Sequence, residues 1–170
     1  MKVDEKREII AGLEIGRKTL VEAICGATEV AAHRKPDAGR WSILECMEHI
    51  AIAEEHMFGL ITSASRVDTP QINKSRESLI RKRGADRSRK IEAPDVAKPI
   101  GRFLTLDDAT QNFLDSRRRT MDFVEKCETD LRAMLATHPV AGPVNCYEML
   151  LIMSAHPLRH ADQIAEILNL

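Results

Sequence analysis

Three histidines have the spacing and surroundings expected of metal ligands. His156 and His160 are four residues apart in a segment of helical periodicity, which places their rings ~5–6 Å apart on one side of a helix. On a helical wheel His160 falls at the centre of the apolar face and His156 at its shoulder. Unpaired ring nitrogens are costly in an aliphatic core, and a divalent ion would satisfy one nitrogen of each ring. The pair indicates a metal site, with two hydrogen-bonded core histidines as the alternative.

An earlier helix is expected to supply a third ligand. His49 falls at the edge of the apolar arc of its helix, and an antiparallel pairing brings it towards His160. Three neutral imidazoles with room for water form an open, catalytic type of centre that suits Zn²⁺, Ni²⁺, Cu²⁺ or Fe²⁺. Cys46 is an alternative ligand. His56 is more exposed and is not expected to bind, and His33 and His138 fall in predicted surface loops.

Other charged side chains give weaker signals. Arg117 falls in the middle of an apolar helical face, which indicates a buried ion pair, a cavity or a snorkelling surface side chain. Residues 74–90 hold eight Lys or Arg and two acids. Such a run is typical of a solvated surface, and it lacks the aromatic residues that stack on nucleic-acid bases. We therefore expect this segment to lie outside the core and to supply no ligand.

The composition predicts a single domain over residues 1–170. Hydrophobic residues make up 44% of the chain and aromatic residues only 4%, so aliphatic side chains must fill the core. A net charge of −1 gives no general attraction to nucleic acid or to an anionic membrane. No stretch approaches the ~18–20 apolar residues of a membrane span. The four cysteines include no Cys-x-x-Cys pair, so a soluble, cytoplasmic protein with reduced thiols is expected.

Helical segments must position these residues. Apolar residues recur at helical spacing, without convincing period-two alternation, over 4–30, 42–64, 105–131 and 146 to the end. Helix starts are indicated by the capping box of Ser42 and Glu45 and by the caps Thr105 and Asn145. The connection over 66–104 is long enough for a crossover between the second and third helices. The predicted fold is all-α, a four-helix bundle in up-down-down-up order.

The segments around the histidines resemble the DinB-like superfamily. Residues 41–51, WSILECMEHIA, are similar to its W-S-x-x-E-x-x-x-H-[IL]-A signature. Residues 156–164, HPLRHADQI, are similar to its closing H-x-x-x-H-x-x-Q-[IL]. Residues 113–117, FLDSR, also resemble the third helix of the family, which often carries an Arg at the last of these positions. The resemblance covers essentially the whole chain.

The resemblance implies a bundle, often a homodimer, that binds a divalent metal through His49, His156 and His160. Some members are transferases or isomerases that use bacillithiol or mycothiol, with the metal holding the thiolate. We therefore predict a metal-dependent thiol transferase acting on a small electrophile, with Arg117 binding a carboxylate of the thiol cofactor or the substrate. A non-catalytic metal-binding or interaction module is the alternative. Pro157 predicts a kink that would re-aim His156.

Apolar residues outside the main stripes predict self-association. Phe58 and Ile52 lie away from the stripe of the second helix, and Leu151 lies away from that of the last helix. Several such side chains on the outer faces would form a patch whose burial favours a two-fold homodimer. A contact with the 66–104 segment is the alternative cover for the same residues.

Overall fold

The computed structural model describes residues 1–169 as a helical bundle with a small sheet at one end. The helices are α1 Val3–Ile24, α2 Glu29–His33, α3 Ile43–Thr62, α4 Lys74–Ala85, α5 Leu106–Lys126 and α6 Cys146–Leu168. The strands are β1 Ser65–Arg66, β2 Met134–His138 and β3 Gly142–Asn145, and one-turn 3₁₀ helices cover Asp95–Ala97 and Leu131–Ala133. The helices α1, α3, α5 and α6 form the predicted four-helix bundle.

The bundle helices begin where the sequence supplies caps. The Ser42 hydroxyl accepts from the Glu45 amide at 3.1 Å, and the Glu45 carboxylate accepts from the Ser42 amide at 2.8 Å. Asn145 and Glu148 form the same reciprocal pair at the start of α6. The side chain of Thr105 caps α5. These contacts satisfy amides that the first turn of a helix leaves free, and they confirm all three predicted starts.

Two helix ends differ from the prediction. The helix expected over 4–30 is interrupted, because Gly26 adopts a φ of +80°, a left-handed conformation that ends helices and favours glycine. Thr28 then caps the short helix α2. Similarly, α5 ends at Lys126, and Leu131 lies in a separate 3₁₀ turn rather than on the inner face of the helix.

The helices α1 and α6 lie side by side and run in the same direction. Near their first turns, the Tyr147 hydroxyl donates to the Glu8 carboxylate at 2.9 Å. About two turns later in both helices, Gly16 packs directly against the backbone carbonyl of Ser154. The same order of contacts along both helices defines a parallel pair.

The helices α3 and α5 form the second parallel pair. Glu54 binds Arg117, and further along both helices in the same direction the rings of Phe58 and Phe123 meet with centroids 5.7 Å apart. Phe58 is therefore partly covered within its own chain rather than fully available on an outer face.

The two pairs run in opposite directions. Near the start of α1, Lys6 donates to the carbonyl of Glu125 at the end of α5, 2.8 Å away. At the start of α6, the Cys146 thiol lies 3.9 Å from the carbonyl of Ile61 at the end of α3. Helices α1 and α6 therefore run up while α3 and α5 run down. The predicted up-down-down-up order is confirmed.

The all-α prediction omits a three-stranded antiparallel sheet. The strand order is β1-β2-β3, with Leu135 paired to both Ser65 and Asn145. The sheet lies where α3 ends and α6 begins, and the turn of its hairpin follows His138. Strands of two to five residues are too short to show an alternating pattern in the sequence.

The connection over 66–104 crosses outside the bundle, as predicted. Its helix α4 packs on the outer side of α6, and Arg83 on it is exposed. Several basic side chains of the segment form ion pairs with acids of the bundle: Arg76 with Glu148, Arg81 with Glu8, and Arg87 with Glu166. No helix within residues 1–169 is long and apolar enough to cross a membrane.

The end of the crossover is fixed to α3. The Glu48 carboxylate, which is buried, accepts from the amides of Ile100 and Arg102 at 2.7 and 2.9 Å. The 3₁₀ turn just before these residues lies against the same helix. The crossover is therefore held next to the start of α3, where His49 lies.

Leu151 does not lie on an outer face. Its side chain is fully buried, because α6 has α1 and α3 on its inner side and α4 on its outer side. The 66–104 segment, the alternative cover considered from the sequence, packs on the same helix through α4. Leu151 therefore cannot contribute to an apolar patch for self-association.

Candidate metal centre

Three histidines converge between α3 and α6. The Nε2 atom of His156 lies 3.1 Å from Nε2 of His49 and 3.0 Å from Nε2 of His160. One ring nitrogen of each histidine lies within 4.8 Å of the other two. Within residues 1–169 this is the one group of three or more His, Cys, Asp or Glu side chains close enough to share an ion. The convergence expected from the sequence is observed.

The outer nitrogens of two rings are held by oxygen atoms. Nδ1 of His49 lies 2.6 Å from the carbonyl oxygen of Ala97, and Nδ1 of His160 lies 3.0 Å from the side-chain oxygen of Gln163. A carbonyl oxygen only accepts, so both Nδ1 atoms carry the proton and both Nε2 atoms present a lone pair. These lone pairs face Nε2 of His156. A cation satisfies such a set of nitrogens, and oxygen-held imidazoles are the usual arrangement of metal-binding histidines.

The electrostatic environment keeps the rings neutral. Burial lowers the pKa of His49, although its contact with the Ala97 carbonyl opposes this effect. Burial and the neighbouring histidines lower the pKa of His156 and of His160 well below the usual value. Since an imidazole must be unprotonated to bind a metal, the three rings are in the binding state at neutral pH.

Trp41 forms one wall of the centre. Its ring centroid lies 4.8 Å from that of His49 and 6.5 Å from that of His160. Trp41 and His156 are partly exposed, whereas His49 and His160 are only 5% and 6% exposed. The centre therefore borders solvent on the side of Trp41 and His156.

Pro157 does not direct His156 away from the centre. The helix α6 continues through this proline, and His156 stays within hydrogen-bond distance of both other rings. The missing amide of Pro157 leaves the carbonyl of Met153 without its helical donor. The guanidinium of Arg117 takes that place, at 2.9 Å.

The expected role of Arg117 in cofactor binding is corrected by its surroundings. The side chain is fully buried, and its guanidinium binds both carboxylate oxygens of Glu54 at 2.8 and 2.9 Å. It also donates to the carbonyls of Leu13 and Met153. A cofactor carboxylate would have to enter the core and displace Glu54. Of the alternatives raised by the sequence, the buried ion pair is the one observed.

The other candidate residues lie apart from the triad. Cys46 is buried, and burial raises the pKa of its thiol to about 12, which disfavours the thiolate that binds metals. His56 is partly exposed on α3 and lines a surface groove. His33 is exposed as predicted, but it is the last residue of α2 rather than part of a loop. His138 was predicted to lie in a loop, but the structure places it in a strand. It ends β2 and accepts from the amides of the hairpin turn through Nδ1.

Sequence reasoning missed the groups that orient the ligands. Gln163 follows His160 by three residues, so its place on the same helical face was the available signal. Ala97 contributes a backbone carbonyl, which no side-chain pattern reveals. Glu54 lies in the middle of α3, and only the register between α3 and α5 shows that it meets Arg117.

A family model and a solved structure match this chain. The model of the DinB superfamily matches residues 13–164, so the chain belongs to the DinB superfamily. YfiT from Bacillus subtilis, described as a probable metal-dependent hydrolase with an unusual four-helix bundle topology, is similar in fold. It shares 15% identity, with 99% of this chain and 89% of that chain covered and a TM-score of 0.62. No curated protein matches the sequence.

Proposed function

We propose that this protein is a divalent-metal-dependent transferase that joins a low-molecular-weight thiol to a small electrophile. The observation that carries the proposal is the orientation of His49 and His160, whose outer nitrogens are held by oxygens so that both lone pairs meet His156. Three neutral imidazoles suit Zn²⁺, Ni²⁺ or Fe²⁺. An ion bound there would lower the pKa of an adjacent thiol and so supply a nucleophile at neutral pH.

The residues of the chain would hold the metal and limit access to it. His49, His156 and His160 would be the ligands, while the Ala97 carbonyl and Gln163 fix the ring orientations. In the reaction a sulfur–carbon bond forms and the leaving group of the electrophile departs with the bonding electrons. The thiol proton passes to solvent. Substrates would approach on the exposed side next to Trp41.

Hydrolysis is the second candidate. The similarity of fold to a probable metal-dependent hydrolase favours it, with water in place of the thiol as the nucleophile. The burial of His49 and His160 favours a third reading, a non-catalytic metal-binding or interaction module. Metal binding is common to all three, so it is tested first and the reaction second.

Metal binding is measurable through the single tryptophan. Because Trp41 lies 4.8 Å from the ring of His49, we expect Ni²⁺ or Co²⁺ to quench its fluorescence in protein purified without a histidine tag. His156→Ala should abolish the quenching. His33→Ala is the matched control, since His33 is exposed and outside the centre. Equal quenching in the wild type and in His156→Ala would contradict the proposed site.

The reaction is tested with metal-loaded protein. Bacillithiol, mycothiol, glutathione and cysteine are offered separately with 1-chloro-2,4-dinitrobenzene, and the thioether is followed by absorbance and mass. Ester and amide substrates are offered in parallel without thiol. Metal-dependent thioether formation that His156→Ala abolishes supports the transferase. Hydrolysis alone supports the second candidate, and bound metal without either product supports the non-catalytic module.

A further inference from the structure

The guanidinium of Arg117 joins all four bundle helices. The side chain projects from α5 and binds Glu54 on α3 through two hydrogen bonds. It also donates to the carbonyl of Leu13 on α1 at 2.8 Å and to that of Met153 on α6 at 2.9 Å. Full burial raises the pKa of Glu54, and the contact with Arg117 counteracts this rise.

The contact with α6 falls at a defect of that helix. In an α-helix the carbonyl of Met153 would accept from the amide of residue 157, but Pro157 has none. A buried carbonyl without a donor costs about 1–3 kcal/mol. Arg117 therefore supplies the hydrogen bond that Pro157 removes. His156 lies within this same turn, between the orphaned carbonyl and the proline.

The helix α1 approaches the same turn closely. A β-carbon at Gly16 would lie 2.6 Å from the backbone oxygen of Ser154 and 3.6 Å from both Arg117 and Pro157. The turn of α6 that carries His156 is thus enclosed by α1 on one side and by the guanidinium on another. Both contacts hold the backbone of this turn in place, and the contact from Arg117 can be removed by substitution.

We propose that Arg117, oriented by Glu54, is a positioning residue for the metal centre, because it fixes the turn of α6 from which His156 reaches the other two histidines. The inference rests on the proposed metal binding. An apolar pair of similar volume in place of Arg117 and Glu54 would keep the core filled and would leave no unpaired charge in it. Such a pair would leave the Met153 carbonyl without a donor, and the His156 ring would lose its alignment.

The test compares the metal affinity of variants by competition with a chelator, using Zn²⁺ or Co²⁺. The double variant Glu54→Leu/Arg117→Met should bind about tenfold more weakly than the wild type, a loss typical for groups that orient ligands. Adding Pro157→Ala restores an amide that can donate to Met153, so most of the lost affinity should return. A role limited to packing or charge would not be rescued in this way.

A second buried ion pair provides the matched control. Arg132 binds Glu77 at 2.8 Å and Glu5 at 2.5 Å; the side chains of Arg132 and Glu77 are buried, and neither forms a hydrogen bond with residues 153–157. Glu77→Leu/Arg132→Met should leave the metal affinity unchanged. If Glu54→Leu/Arg117→Met does not fold, Arg117→Lys is used with and without Pro157→Ala, because lysine lacks the planar fork with which the guanidinium binds both oxygens of Glu54 and also reaches the Met153 carbonyl.

Two results would overturn the inference: unchanged affinity in the Arg117 variants, or a loss that Pro157→Ala does not restore. A wild type that binds no metal would refute the proposed function instead. In that case the positioning role of Arg117 is tested in metal-free protein by nuclear magnetic resonance of the histidine rings. The ring signals of His156 should shift in Glu54→Leu/Arg117→Met and return with Pro157→Ala, and unchanged signals would reject the role.

Discussion

At the scale of single residues, the two buried histidines of the centre differ in what orients them. A backbone carbonyl holds His49, whereas the side chain of Gln163 holds His160. Only the second contact can be removed by substitution. The centre therefore offers one position at which ring orientation can be changed without touching a ligand.

Gln163→Leu should weaken metal binding about 10–100-fold. The substitution removes the acceptor for Nδ1 of His160, so the ring is free to rotate and to change its tautomer. Isothermal titration calorimetry with Zn²⁺ measures the effect. Arg87→Met is the control, because Arg87 also donates to Gln163, at 3.2 Å, and contacts no histidine of the centre. An equal loss in both variants would assign the effect to the arginine contact.

The thiols should differ sharply in reactivity. Burial raises the pKa of Cys46 and of Cys146 to about 12, so both thiols are protonated at neutral pH. Cys127 is buried as well, and Cys25 is exposed. Since modification needs access of the reagent to the sulfur and the thiolate is the nucleophile, iodoacetamide should modify the native protein once, at Cys25.

Intact mass spectrometry counts the modifications. In urea all four free cysteines should react, which controls for the reagent. Rapid modification of Cys46 in the folded protein would contradict its burial and would return it to consideration as a ligand. The position of Cys46, three residues before His49, makes this outcome informative for the centre.

At the scale of elements, two helical glycines provide a matched pair. A β-carbon at Gly16 in α1 would lie 2.6 Å from the Ser154 carbonyl, whereas nothing lies within 4 Å of one at Gly59 in α3. Gly16→Ala should therefore destabilise the fold by about 1–3 kcal/mol through overpacking. Gly59→Ala should stabilise it by about 0.5–1 kcal/mol, because alanine favours a helix.

Urea unfolding measures both changes in the free energy of unfolding. Both variants replace a helical glycine by alanine, so both change helix propensity alike. The difference between their free energies of unfolding therefore reports the close packing at Gly16. A stabilising Gly16→Ala would show that α1 and α6 can separate at no cost. That result would also weaken the argument that the turn of His156 is tightly enclosed.

The helices were predictable from the sequence because neighbouring residues mark their starts. The strands were not, because each depends on pairing with a distant part of the chain. Ser42 and Asn145 mark helix starts because their caps involve residues three positions away. The strands β1 and β2 pair across a long stretch of chain, and their few residues carry no pattern of their own. For the same reason helical spacing located the three histidines, whereas the partner of Arg117 depended on how α5 lies against α3.

At the scale of the whole molecule, we propose that the chain forms a homodimer. The apolar patch available for self-association contains fewer residues than the sequence predicts. Leu151 is buried and Phe58 packs on Phe123, so Ile52 is the remaining member of the expected patch. It lines a surface groove together with Val96, which is 54% exposed. Burial of this apolar surface between two copies would favour a two-fold dimer.

Sedimentation equilibrium at micromolar concentration should detect twice the chain mass of 19.1 kDa. Val96→Glu should shift the protein towards monomer, because it places a charge in the shared apolar surface. Val30→Glu is the control, since Val30 is 85% exposed on α2 and does not line the groove. A single species of 19.1 kDa in the wild type would reject the dimer and leave the metal centre unaffected.

The attachment of the crossover to α3 has a kinetic consequence. Glu48 and His49 are neighbours, and one holds the amides of Ile100 and Arg102 while the other holds the carbonyl of Ala97. For the crossover to detach, both contacts must break, and the His49 ring would lose its orientation. An occupant of the centre would therefore slow the exchange of these two amides with deuterated solvent in proportion to its occupancy. Hydrogen exchange at these two amides would then rank candidate metals and thiols by their binding to the centre, before any reaction product is known.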